Sequence, residues 1–190
     1  SDIAVSARFE VNREPQFSTG RVHVLRGEDG RTICTAQSPT LTASFASSIS
    51  TADVNADGTP DLIVGDSQTR GALTESATGM AYAFDGRDCS LLRQFALVWP
   101  DAWAMVMTVE GLGDINAPPN DTENVVGFGF ALAPLADADG DGQPDLAASA
   151  MNGGEGVGEG YVFCGSDGAL LAILAAPEDA GPAFGAGIAS

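Results

Sequence analysis

Phe45-Ala-Ser-Ser-Ile-Ser-Thr-Ala-Asp53-Val-Asn55-Ala-Asp57-Gly58-Thr59-Pro60-Asp61-Leu-Ile-Val-Gly65 decides the fold, because the chain writes it twice. The second copy is Phe128-Gly129-Phe-Ala-Leu-Ala-Pro-Leu-Ala-Asp137-Ala-Asp139-Gly140-Asp141-Gly142-Gln143-Pro144-Asp145-Leu-Ala-Ala-Ser149. Each copy has an aromatic-led apolar stretch, an acidic loop and a second short apolar stretch. A unit repeated along a chain is one supersecondary piece, stable only when stacked on its neighbours. The chain opens on the second half of the unit, Asp2-Ile3-Ala4-Val5-Ser6, and ends on the first half, Phe184-Gly185-Ala-Gly-Ile-Ala-Ser190.

A second module follows each loop. It reads Gly20-Arg-Val-His23-Val-Leu-Arg-Gly27, then Gly79-Met-Ala-Tyr82-Ala-Phe-Asp-Gly86, then Gly160-Tyr161-Val-Phe-Cys-Gly165. Short turns and further apolar stretches come next, at Thr32-Ile33-Cys34, Leu91-Leu92 and Leu170-Leu171. Strand, tight turn, strand is a hairpin signal. The unit therefore has four short strands. Asp2 to Asp61 and Gly27 to Gly86 are both 59 residues apart, whereas Asp61 to Asp145 is 84, which is 25 more. That excess equals Trp103–Gly127, which reads either as a degenerate half-unit or as a plain loop insertion. No segment has sustained helical periodicity. The expected fold is all-β: a β-propeller, or part of one, of four-stranded antiparallel blades with about three to four blade equivalents. The approximate units are 1–43, 44–99, a degenerate 100–127, 128–183, and 184–190 as the start of the next.

Composition narrows the function. The 190 residues are 44% hydrophobic, enough for a packed core, and contain no apolar run long enough to span a membrane. Net charge is −18, from 26 acids against 8 basic residues, all of them Arg. A nucleic-acid binder needs a basic face, so that class is excluded. No basic, apolar-cored leader opens the chain, so any secretory signal is expected to have been removed. Cys34, Cys89 and Cys164 allow at most one intrachain disulfide; one between adjacent units or free buried thiols both fit. No Cys/His cluster has zinc spacing.

The acidic loops carry the most specific chemistry. Asp53, Asn55, Asp57 and Asp61 hold positions 1, 3, 5 and 9 of the first; Asp137, Asp139, Asp141 and Asp145 hold the same places in the second. Oxygens at this spacing converge on one cation when the loop coils. Gly58 or Gly142 permits the sharp turn, and the carbonyl of Thr59 or Gln143 at position 7 points inward. Hard oxygens in a flexible loop favour Ca²⁺ over Mg²⁺. Position 12 is Val64 or Ala148 where an EF-hand needs Glu, and the flanks are strands, so these are not EF-hands. Asp114 and Asn116 begin a weak third version, interrupted by Pro118 and Pro119.

Phe-Gly, then Asp-x-Asp/Asn-x-Asp-Gly-x-x-Asp, then a Gly-rich stretch resembles the FG-GAP repeat of integrin α-subunit β-propellers and related bacterial secreted proteins. Phe128-Gly129 and Phe184-Gly185 keep the Phe-Gly; Phe45-Ala46 and Trp103-Ala104 depart from it. The resemblance implies a Ca²⁺-stabilised extracellular propeller that serves as a scaffold for adhesion or ligand binding. It assigns the metal ligands to Asp53, Asn55, Asp57, Thr59 and Asp61, and to Asp137, Asp139, Asp141, Gln143 and Asp145.

Such propellers usually have seven blades. Three arrangements answer the shortfall: a longer propeller of which this is a piece, closure of Phe184–Ser190 beside Ile3–Ser6, or exchange of the terminal strand between copies. In each, Ile3–Ser6 and Phe184–Ala189 are expected to be paired strands. His23 aligns with Tyr82 and Tyr161 and reads as a packing residue; no nucleophile-elbow motif accompanies it. Trp99 and Trp103 read as core, and Asn120-Asp121-Thr122 is a glycosylation sequon. No catalytic residues are expected. The first function class is a non-catalytic extracellular calcium-binding module for adhesion, surface assembly or filament scaffolding, with a protein or glycan ligand and self-assembly through the split blade. The second is an accessory propeller of a secreted enzyme whose catalytic domain lies outside this chain.

Overall fold

Apolar runs such as Leu62-Ile63-Val64 lack the polar alternation of a half-exposed strand, so they need cover on both faces. The computed structural model describes residues 1–8, 20–39, 44–67, 79–96, 127–151, 157–181 and 184–189, and the runs form strands packed between sheets. The first sheet is β1 (Ile3–Ala7), β2 (Arg21–Leu25) and β3 (Thr32–Gln37), in that order. The second is β4 (Phe45–Ala52), β5 (Asp61–Asp66), β6 (Met80–Phe84) and β7 (Leu91–Phe95). The third is β8 (Phe128–Leu135), β9 (Asp145–Ala150), β10 (Glu159–Phe163) and β11 (Leu170–Ala175). Neighbouring strands are antiparallel and follow chain order, which is the four-strand blade expected from the repeat. All of the expected degenerate unit except Gly127, with Trp103, Asp114, Asn116 and Asn120, lies outside the described residues, as does Trp99.

Alternation within the buried strands sorts side chains by size. On β6, Ala81 and Ala83 face the third sheet, whereas Tyr82 and Phe84 face the first. Small residues on one face leave room for the neighbouring blade's Phe128, Tyr161 and Phe163, which share a core with them. The Phe that opens each blade packs on its own strand-three rings. Phe45 lies 6.0 Å from both Tyr82 and Phe84, and Phe128 lies 5.7 Å from Tyr161 and 5.5 Å from Phe163, at the tilted or edge-on angles rings prefer.

The residue after that Phe explains the Phe-Gly pair. Gly129 and Gly185 have φ of 78° and 79°, where a β-carbon is strained. Ala46 takes the same conformation, φ 66°, and bears the strain. The turn is closed by Ser47 N–H donating to Ser44 O and Phe130 N–H to Gly127 O, both 3.1 Å, and the ladder bulges there. The turn also joins blades. Gly79 pairs with Phe128 of the next sheet, and a β-carbon on Gly79 would lie 2.2 Å from the Phe128 carbonyl oxygen. Gly20 and Gly158 receive the Phe45 and Phe184 backbones in the same way. The hydroxyl of Ser48 donates to the Gly129 carbonyl at 2.8 Å across the same joint.

A covalent staple crosses the other joint. Cys34 on β3 is disulfide-bonded to Cys89 in the β6–β7 turn, with Cα atoms 5.7 Å apart; Cys164 is free and buried. This settles the cysteine pairing in favour of adjacent units.

The ends differ from expectation in one respect. Ile3–Ala7 is a strand, paired with β2. Phe184–Ala189 is not: it forms a turn and irregular backbone. Phe184 docks as the earlier blade-opening Phe residues do, its N–H donating to Val157 O at 2.8 Å. A first strand is made by its second, as β8 is by β9, and among the described residues no strand pairs with 184–189. Two glycines, Gly185 and Gly187, give the segment little strand preference of its own. The closed arrangement is likewise not seen, since β1 pairs with β2 alone among the described residues.

Candidate metal centre

Both acidic loops connect strand one to strand two of a blade, and both coil by the same bonds. In the second, Asp137 Oδ1 accepts the N–H of Gly140 at 2.6 Å and of Asp141 at 3.1 Å, while its Oδ2 accepts Gly142 N–H at 2.8 Å. Asp139 Oδ1 accepts Asp141 N–H, and Asp141 Oδ1 accepts Gln143 N–H. The first loop repeats this. Asp53 takes the amides of Asp57 and Gly58, Asn55 that of Asp57, and Asp57 that of Thr59. Short Asx side chains that bond amides two to five residues ahead wind the chain so that alternate oxygens turn inward.

Position 9 is different. Asp61 and Asp145 are fully buried, at the start of β5 and β9. One oxygen of each holds the loop, accepting the N–H of Val54 or Ala138. The other crosses to the next hairpin and accepts the N–H of Gly86 at 3.2 Å or of Gly165 at 3.0 Å. Asp2 does the same for Gly27 at 3.0 Å, which gives that residue a structural role. Sequence reading missed this contact. Its signal was an Asp followed by a hairpin glycine in each unit, 25 residues on from Asp2 to Gly27 and from Asp61 to Gly86, and 20 from Asp145 to Gly165. Burial raises the Asp61 carboxyl above the usual carboxylate range, against the lowering by the Gly86 and Val54 amides.

The structure brings together carboxylate oxygens of Asp137, Asp139 and Asp145, all within 4.8 Å of one another. Oxygens bound across one cation at about 2.4 Å span that distance. Asp141, at position 5, joins a second group with Asp139 and Cys164. Cys164 Sγ lies 3.5 Å from Asp141 Oδ2 and 3.1 Å from Ser166 Oγ. A bond from the Ser166 hydroxyl, followed by the Gln143 amide, holds the Asp141 carboxyl below its ordinary value. Among the described residues the first loop gathers no such trio of carboxylates, its position 3 being Asn55. There Arg87 lies on Asp57, Nη1 being 2.5 Å from Oδ2. Desolvation raises the Asp57 carboxyl, but the Thr59 amide, Asn55, the Thr59 hydroxyl and Arg87 together bring it below the ordinary value. Arg87 is the second feature the sequence reading missed.

Sheets of this kind with a coiled acidic loop between the first two strands define a class of repeat propeller. The FG-GAP repeat matches the chain twice, at residues 45–82 and 128–163, which contain both loops. Human integrin alpha-IIb is 30% identical over 170 residues, or 87% of this chain and 14% of that protein. The chain belongs to the FG-GAP, integrin-like family of β-propellers, and it spans about one-seventh of the length of that relative.

The donor set fits a hard divalent cation. The side chains at positions 1, 3, 5 and 9 are all oxygen donors, and three of them in the second loop are already within reach of one point. Cys164 is the exception, a soft donor beside a hard site, and its burial raises the thiol above its ordinary value.

Proposed function

We propose that the chain is a non-catalytic, calcium-binding β-propeller module that acts outside the cell in adhesion, surface assembly or filament scaffolding, on a protein or glycan ligand. The observation that carries this reading is the convergence of Asp137, Asp139 and Asp145 in a loop that recurs at Asp53–Asp61. Bound calcium supplies the positive charge that lets three or four carboxylates share a few ångströms. Asp53, Asn55, Asp57, Asp61 and the Thr59 carbonyl would hold one ion, and Asp137, Asp139, Asp141, Asp145 and the Gln143 carbonyl the other. The same Asp61 and Asp145 tie each loop to the hairpin beyond it, so an ion there would brace three of a blade's four strands.

An extracellular setting is supported by the Cys34–Cys89 disulfide, a bond that persists in oxidising compartments, and by the likeness to an integrin α chain. A non-catalytic role is supported by where the titratable groups stand. The loop carboxylates accept backbone amides, and His23 Nδ1 lies 3.1 Å from the Thr35 hydroxyl on the neighbouring strand. No helix among the described residues is long and apolar enough to cross a membrane.

Calorimetric titration tests the reading. Calcium should bind at two sites, and Asp141→Ala should remove much of one. Magnesium should bind more weakly, because it demands a strict octahedron and sheds water reluctantly. Absence of any calcium heat in the intact chain would sink the reading.

A further inference from the structure

The two loops share a backbone path but not a charge. The second presents four carboxylates, Asp137, Asp139, Asp141 and Asp145. The first presents three, because position 3 is Asn55. It also has a guanidinium laid on position 5. Arg87 Nη1 is 2.5 Å from Asp57 Oδ2, and Nη2 donates to the Asp57 carbonyl at 3.3 Å. The other Asp57 oxygen is engaged by the Thr59 amide at 2.8 Å. Arg87 is placed by its own turn, where its N–H donates to Asp85 Oδ1 at 2.8 Å. The third sheet has the same turn, and there the equivalent residue is Ser166, a neutral hydroxyl beside Asp141.

We propose that Arg87 is a built-in competitor for the first cation site. Its guanidinium covers an oxygen of Asp57 that a cation would use, and it must swing away before the loop can close on an ion. The first loop therefore fills at a higher calcium concentration than the second, and the module has two thresholds. The proposal rests on the calcium reading of the loops. It follows from charge count and access: a dication meets net −4 at the second loop, but −3 reduced by Arg87 to −2 at the first. Arg87 is half-exposed, so it can leave the loop without disturbing the core.

The experiment is calcium titration of the full 190-residue chain by calorimetry at low ionic strength, comparing the parent with Arg87→Ser, Arg87→Lys and Asp139→Ala. The parent should show a tight and a weak site, and Asp139→Ala should remove or weaken the tight one. Arg87→Ser should tighten the weak site about three-fold, the size an exposed ion pair supports, and leave the tight site unchanged. Arg87→Lys keeps a point charge but loses the two-pronged grip, so it should fall between. The gain from Arg87→Ser should shrink at high salt. Two bound calcium ions with affinities unmoved by Arg87→Ser would overturn the competitor while leaving the calcium reading intact. A weaker first site in Arg87→Ser would also overturn it, because Arg87 would then be helping the loop. No calcium bound by any variant would overturn both.

Discussion

Gly86 shows how one atom can matter without any unusual dihedral. A β-carbon there would lie 2.0 Å from the Pro60 carbonyl oxygen, a backbone atom with nowhere to go. The close approach exists because Asp61 pulls the Gly86 amide toward itself. Gly30 makes the opposite case: φ is +70°, and nothing lies within 4 Å of its missing β-carbon. Gly86→Ala should therefore cost about 2 to 3 kcal/mol by overpacking and by weakening the Asp61 contact, whereas Gly30→Ala should cost only about 1 kcal/mol of backbone strain. Urea unfolding of the two variants measures both; equal losses would mean the Asp61–Gly86 contact is slack. Legibility at this scale was uneven. The coil from Asp53 to Asp61 could be read, because Asx side chains at alternate positions bond the amides ahead of them. Arg87 could not, because it lies 30 residues from Asp57 and its Gly-Arg-Asp setting is that of any tight turn.

Between elements, the three hairpin turns are the same object. Gly30, Cys89 and Gly168 occupy one position, each preceded by an Asp whose side chain accepts the N–H two residues on. All three have positive φ, 70°, 60° and 80°, which glycine adopts freely and cysteine does not. Cysteine in a glycine column is the trace of the staple, a signal that the sequence reading did not use. What the sequence alone left open was the partner, since strand-four packing between blades is a tertiary matter. The bond joins residues 55 apart, and closing a loop of that length stabilises by about 4 kcal/mol, against about 1 kcal/mol of strain at Cys89. Reduction should thus destabilise by about 3 to 4 kcal/mol in denaturant melts. The Cys34→Ala/Cys89→Gly pair should be more stable than Cys34→Ala/Cys89→Ala by up to about 1 kcal/mol. If the two pairs melted alike, the turn would have relaxed on losing the bond. The overread of Phe184–Ala189 belongs to this scale too: its pattern matches β8, but a strand is a relation between two segments, and pattern supplies one.

Across the whole molecule, the sheets hold together by size-sorted cores, glycine joints and one disulfide, while the chain carries net charge −18. Self-repulsion of that size works against compactness, and it is most concentrated at the two loops. A cation that binds only the folded loop stabilises by about 2.7 kcal/mol at a hundredfold excess over its dissociation constant. For a chain of this size that is roughly 5 to 10 °C in melting temperature for each filled site. Chelation should lower the midpoint in two stages as free calcium is reduced: first as the weak first loop empties, then as the second does. Asp57→Ala should abolish the stage at higher calcium and Asp139→Ala the one at lower calcium, so each loss belongs to its own loop. Since Asp61 and Asp145 anchor the loops to separate blades, emptying one should loosen its own hairpin before its neighbour's. Hydrogen exchange should then show protection lost first at Gly86 and Val54, and at Gly165 and Ala138 only when calcium is removed entirely. Simultaneous loss at all four amides would mean that the blades melt as one unit and that the two thresholds are not felt by the fold.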